Sequence, residues 1–203
     1  MIKVLPAPEP PHFDNSVRKK GTRFLALNCI TTGSPLPAGV TLKPFWQNCL
    51  DDLHKSYRGI CAYLCIYLES GVGGVTTDHF IPKSFRPELA YEWSNYRLSC
   101  SRVNARKGTC RDIMDPFQIE NGWFRLDLVT GTVFPNGSLD TDTVTRISHT
   151  IEKLGLNLPY ATRRRSGDFD MLLKNKNSRN FFRFIADRSP FVYMEAVRQK
   201  LLP

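Results

Sequence analysis

The sequence predicts an α+β fold, a strand–loop–strand–helix core carrying an N-terminal arm and a helical C-terminal region. Three observations predict it. Residues 75–80 and 96–100 have strand character and are followed by a brief helical stretch at 102–107. Residues 141–203 carry an apolar stripe, Val144, Ile147, Ile151 and Leu154, at helical spacing. The 203-residue chain is 41% hydrophobic and 11% aromatic, which places it among folded proteins.

Taken in order, residues 1–42 are rich in Pro, Gly and Thr and hold a basic patch at Arg18, Lys19, Lys20 and Arg23. They read as an extended arm with one short helix near 17–27. A core spans 43–118. It opens with Phe45, Trp46, Cys49, Leu50, Leu53 and Tyr57 at helical spacing, stopped by Gly59. Residues 60–68 are β-branched and aromatic, which suits a buried strand or a knuckle. Gly71, Gly73 and Gly74 make a loop, and Pro82 ends the strand at 75–80. After the second strand, Ser101 is placed to cap the short helix and Gly108 to stop it. Residues 119–203 form the third part: a hairpin around Gly131 within 122–134, then helices.

The formal charge is +9, from 28 Lys and Arg against 19 Asp and Glu, which favours a polyanionic partner. Residues 141–203 alone hold 12 cations and 6 acids, a net +6 from 12 − 6. The longest apolar run, 60–68, is about half of what a bilayer span needs. Prolines at 6, 8, 10 and 11 interrupt any apolar leader. A cytoplasmic protein without a membrane partner is therefore expected, and its six cysteines are expected as free thiols or metal ligands instead of disulfides. There is no Gly-x-x-x-x-Gly-Lys-Ser/Thr, so any nucleotide dependence has to come from another protein.

The chemically informative stretch is Thr77-Asp78-His79-Phe80-Ile81-Pro82-Lys83-Ser84, then Trp93-Ser94-Asn95-Tyr96-Arg97-Leu98, then Asn104-Ala105-Arg106-Lys107-Gly108. His79 and Asn95 are 16 residues apart, and Asn95 and Asn104 are 9 apart. In residue types, spacing and order of elements it resembles the HNH nucleases, whose fold is the ββα-metal (His-Me finger) unit, with Asn104 standing where the eponymous last His would be. That resemblance implies His79 as general base, an imidazole that is neutral near physiological pH and can accept a proton from water. It implies Asp78 and Asn104 as oxygen ligands of a divalent metal, Mg²⁺ or Mn²⁺, which keep much of their hydration and bind phosphate oxygens. It implies Asn95 as the residue that holds the loop carrying the base. Lys107, one turn after Asn104, is a candidate phosphate contact, with Lys83, Arg97, Arg102 and Arg106 as further nucleic-acid-binding candidates.

The likeness reaches further. Cys61-Ala62-Tyr63, Tyr91-x-Trp93, Asp115-Pro116-Phe117 and Gly122-Trp123-Phe124 make the chain similar to stand-alone bacterial HNH proteins, among them the HNH subunit (PtuB) of Septu anti-phage systems and of retrons. This implies cleavage of nucleic acid, DNA favoured over RNA, as a defence effector under an ABC-like ATPase partner.

Cys61-x-x-x-Cys65 is one residue wider than the zinc knuckle common among such proteins, and Cys100 and Cys110 are poorly spaced to complete it, so buried free thiols are favoured over a structural zinc. Trp93, Tyr96, Trp123 and Phe124 are expected in the core more than as base-stacking platforms. Arg163-Arg164-Arg165 reads equally as a solvated loop or as a phosphate track. The competing function is a catalytically silent nucleic-acid-binding or ATPase-docking subunit on the same fold.

Overall fold

The computed structural model describes residues 1–71 and 73–202; Val72, in the glycine loop, and Pro203, at the end of the helical region, lie outside them. A π-turn at Asp14–Arg18 runs into α1 (Lys19–Leu27), and a 3₁₀ turn at Phe45–Cys49 runs into α2 (Leu50–Ser56). Strands β1 (Val75–His79) and β2 (Tyr96–Cys100) follow, then α3 (Ser101–Lys107). A second small sheet, β3 (Phe124–Leu126) with β4 (Val133–Pro135), leads into α4 (Thr141–Leu154), α5 (Pro159–Lys174), α6 (Arg179–Arg188) and α7 (Pro190–Arg198). The architecture is α+β, with two two-stranded antiparallel sheets and seven α-helices among the described residues. None of these helices is long and apolar enough to cross a membrane.

The register of β1 on β2 sets everything near the chemically informative residues. Asp78 lies opposite Arg97 and His79 opposite Tyr96. Because successive side chains leave a strand on opposite faces, Tyr96 and Leu98 enter one apolar cluster with Phe13, Leu53, Tyr91 and Trp93. On the other face stands a larger cluster built from Tyr63, Val103, Ile113 and Phe124 with Ile147, Leu154, Leu172, Ile185 and Phe191 of the C-terminal helices. The β1–β2 hairpin thus sits between two cores.

Residues 1–42, read from sequence as an extended arm with one short helix, pack through several of their side chains. Phe13 is fully buried, edge-on to Trp93 at 5.6 Å and to Tyr96 at 5.8 Å between ring centroids. The Trp93 indole N–H donates to the Ala7 carbonyl at 2.9 Å, and the Val4 N–H donates to the Pro116 carbonyl at 2.9 Å. Helix α1 lies so close to the 3₁₀ turn at Pro87–Tyr91 that a Cβ on Gly21 would meet the Tyr91 ring at 2.1 Å. The apolar residues that do this are too sparse in sequence to show a period, since each meets its partner across tens of residues.

The stretch 60–68 is a knuckle closed by one bridge between Ile60 and Tyr67, with the Cys61 N–H donating to the Ile66 carbonyl at 3.0 Å. Helix α3 begins one residue earlier than expected: Cys100 is its N-cap and no side chain caps it, while Gly108 ends it at a φ of 53°. Helix α4 is better delimited. Asp140 accepts from the Thr143 N–H at 2.9 Å, and Gly155 stops the helix in the left-handed region.

The Arg163–Arg165 run is no loop. On α5, three successive residues point about 100° apart, so they part company. Arg163 is exposed, Arg164 donates to Asp168 at 2.9 Å, and Arg165 is buried, donating to the carbonyl oxygens of Gly131 (2.9 Å) and Leu156. A buried guanidinium with no carboxylate partner is costly, and burial draws its pKa down to about 10. Phe13→Ala should lower the unfolding free energy by about 3–5 kcal/mol, measured by denaturant titration. A loss below about 1 kcal/mol would show that residues 1–42 are an appendage.

Candidate functional site

A cavity of about 360 Å³ opens at the C-terminal end of β1. Asp78, His79, Lys83 and Asn104 all line it, together with Trp46 and Thr77. Four of the nine residues singled out from sequence therefore converge on one hollow.

His79 is 8% exposed and its orientation is fixed from several sides. Its Nε2 lies 3.0 Å from the Ala90 carbonyl oxygen. A carbonyl only accepts, so the proton sits on Nε2 and Nδ1 keeps its lone pair, with no hydrogen-bond partner among the described residues. The same carbonyl accepts from the Tyr96 hydroxyl at 2.7 Å. Trp46 and Tyr96 stand edge-on to the imidazole at 4.7 and 5.2 Å. Burial pushes the imidazole pKa down to about 4, so the ring is neutral at physiological pH.

Asn95 clamps the segment that follows His79. Its Oδ1 accepts from the Ile81 N–H at 2.8 Å, and its Nδ2 donates to the carbonyls of Ile81 and Leu89, both at 3.0 Å. Its own backbone carbonyl accepts from the Phe80 N–H at 2.9 Å. An amide that donates and accepts within one side chain is what closes this loop on both sides.

Asp78 leaves the opposite face of β1, toward α3, and is 2% exposed. One carboxylate oxygen accepts from Lys107 Nζ at 3.0 Å and the other from the Tyr63 hydroxyl. Lys107 is fully buried and also donates to the His79 carbonyl at 2.7 Å. Burial raises the Asp78 pKa while Lys107 and Tyr63 oppose the rise. Asn104, on α3, donates through Nδ2 to Thr76 Oγ1 at 3.2 Å and to the Thr77 carbonyl at 3.3 Å, which leaves its Oδ1 as the uncommitted atom.

The phosphate candidates separate by burial. Lys107 cannot contact a phosphate from the interior: its helical position one turn after Asn104 faces β1, not solvent. Arg97 is likewise buried. It forms a two-pronged ion pair with Asp115 at 2.7 and 2.8 Å, with its guanidinium 3.5 Å from the Phe117 ring centroid. Both were expected to reach nucleic acid and instead hold the core. Lys83, Arg102 and Arg106 are exposed, and Lys83 Nζ sits 4.3 Å over the Trp46 ring at the cavity.

Sequence reasoning missed Tyr63, Trp46 and Asp115 as contributors. Tyr63 and Asp115 fall within stretches that resemble the HNH proteins, which was the available signal; Trp46 was read only as a helix-face residue. Cys61 and Cys65 are buried in the knuckle that presents Tyr63, and Cys100 and Cys110 are half-buried. No cluster of three or more His, Cys, Asp or Glu side chains suited to a metal occurs among the described residues.

No family model matches the chain. Among curated proteins, one of Vibrio cholerae serotype O1 biovar El Tor, named "Retron Vc95 putative HNH endonuclease", is 31% identical over 123 residues, 54% of this chain and 60% of that protein. The chain thus matches about three fifths of the length of that curated relative. Lys107→Met should destabilise the fold by about 3–5 kcal/mol, because it strands the Asp78 carboxylate in the interior; an unchanged denaturation midpoint would contradict the buried pairing.

Proposed function

We propose that this chain is a metal-dependent HNH endonuclease that hydrolyses phosphodiester bonds of nucleic acid, with DNA favoured, and serves as an anti-phage effector controlled by an ATPase partner. The observation that carries the chemistry is the cavity at the end of β1, which His79, with its Nδ1 lone pair free, lines together with Asp78 and Asn104. The defence role rests on the likeness to a protein whose name associates it with a retron.

A divalent cation fits these residues. The available donors are hard oxygens, and one carboxylate with an amide and several waters is a sufficient set for Mg²⁺ or Mn²⁺. The ion pair with Lys107 and the bond from Tyr63 occupy one lone pair on each Asp78 oxygen and leave another. Asp78 and Asn104 Oδ1 would hold the cation, which supplies stabilisation of the charge that develops on the phosphate and the leaving oxygen.

The protein's own groups do the rest. His79 Nδ1 accepts a proton from the attacking water as the water oxygen bonds to phosphorus and the bond from phosphorus to the leaving oxygen breaks. The imidazolium so formed keeps its Nε2–H on the Ala90 carbonyl, which disperses part of its charge. Asn95 keeps the strand end and the following turn in register, so that the ring cannot swing away. Lys83 offers an ammonium to a phosphate oxygen at the cavity.

Purified protein given plasmid, single-stranded DNA or tRNA with Mg²⁺ or Mn²⁺ should cleave, and excess EDTA should stop it. His79→Ala should reduce the rate by about 10²–10⁴-fold, the usual contribution of a positioned general base. Cleavage by His79→Ala at the wild-type rate would remove the base assignment, and cleavage unaffected by chelator would remove the metal.

A further inference from the structure

From Lys83 at its rim, the cavity continues into a band of further cations that the site itself does not use. Lys83 and Ser84 line the cavity, and so do Gly108 and Thr109. The chain just beyond each pair meets the other: the Arg111 guanidinium lies 4.0 Å from the centroid of the Phe85 ring. Arg111 then shares a surface depression with Arg146 and His149 of α4. His149 in turn belongs to a neighbouring depression with Lys153 and with Arg106 of α3. Arg106, Arg111, Arg146 and His149 are exposed and Lys153 is half-buried.

Asp112 and Glu152 stand in the same depressions, so the band, counted with Lys83, has five cations against two acids and a net +3 with His149 neutral. On α4, Arg146, His149 and Lys153 fall at i, i+3 and i+7, one face of a helix, with about 10 Å from first to last. That span corresponds to about three phosphates of one strand at one charge per 3.4 Å of duplex axis.

Three aromatic rings near the band carry cations over their faces, Lys83 over Trp46, Arg111 over Phe85 and Arg102 over Tyr160 at 5.0 Å, while Phe134, exposed in a depression with Arg106, carries none. Those three hold charge in place, and α4, which supplies Arg146, His149 and Lys153, has no Phe, Trp or Tyr on which unpaired bases could stack, the common way of gripping single strands. We propose that Lys83, Arg111, Arg106 and the Arg146–His149–Lys153 face of α4 form a track for the sugar-phosphate backbone of a nucleic acid duplex, delivering one strand to the cavity. The inference rests on the nuclease reading of that cavity and adds the substrate form and the surface that holds it.

Binding is measured in EDTA by fluorescence anisotropy, so that turnover plays no part and this test stands apart from the cleavage test of His79. A labelled DNA duplex and its isolated strand are titrated with wild-type protein, with Arg111→Ala/Arg146→Ala/Lys153→Ala, and with a control of equal charge change, Lys176→Ala/Arg179→Ala/Arg183→Ala, outside the band. Thermal unfolding of all three proteins checks that these surface changes leave the fold intact. The track variant should bind the duplex more weakly, with a log K against log salt slope shallower by about 2.7, from 0.9 for each of three cations removed. The control should bind the duplex as wild type does. The inference is overturned if the wild type does not bind the duplex, if the track variant keeps duplex affinity, or if the control loses as much.

Discussion

Asp78 and Lys107 occupy a part of the interior that neither could enter without the other. Moving a single carboxylate or ammonium out of water costs several kcal/mol after relaxation, and these two are 2% and 0% exposed at 3.0 Å. Lys107 is the last residue of α3 and Asp78 the fourth of β1, so their pairing ties helix to strand where the cavity opens. The second bond of the ammonium, to the His79 carbonyl, carries that tie to the residue that bears the imidazole. Tyr63, presented by the 60–68 knuckle, fixes the other carboxylate oxygen and brings the larger core to bear on the same point.

Around this clamp the two faces of one strand take different work. Odd positions of β1 meet the cluster that includes Phe13, Trp93 and Tyr96, which orients His79 through shape, edge-on rings and one carbonyl. Even positions meet α3, which supplies the amide of Asn104 and the ammonium of Lys107. Strand alternation sends the imidazole of His79 and the carboxylate of Asp78 to opposite faces, and the cavity at the strand's end is lined by both residues. The buried Arg97–Asp115 pair does for β2 what Asp78–Lys107 does for β1, joining the strand to the segment beyond α3.

Much of this was readable from the residues. The order strand, loop, strand, short helix came from local pattern and punctuation by Pro82 and Gly108, and Asp78, His79, Asn95 and Asn104 came from their spacing and the resemblance it carries. What sequence could not tell was which cations were structural. Arg97, Lys107 and Arg165 look like surface charges in a basic chain, and only the tertiary partners Asp115, Asp78 and the Gly131 and Leu156 carbonyls turn them inward. The first 42 residues posed the same difficulty, since Phe13 shows no local period and finds its burial against Trp93 and Tyr96, about 80 positions away.

The account turns on a neutral imidazole whose unprotonated nitrogen is Nδ1. Nitrogen-15 NMR of the His79 ring in the intact protein at neutral pH measures this directly. The structure predicts a proton on Nε2, engaged with the Ala90 carbonyl, and a bare Nδ1. A proton on Nδ1, or on both nitrogens, would contradict it and remove the proposed base.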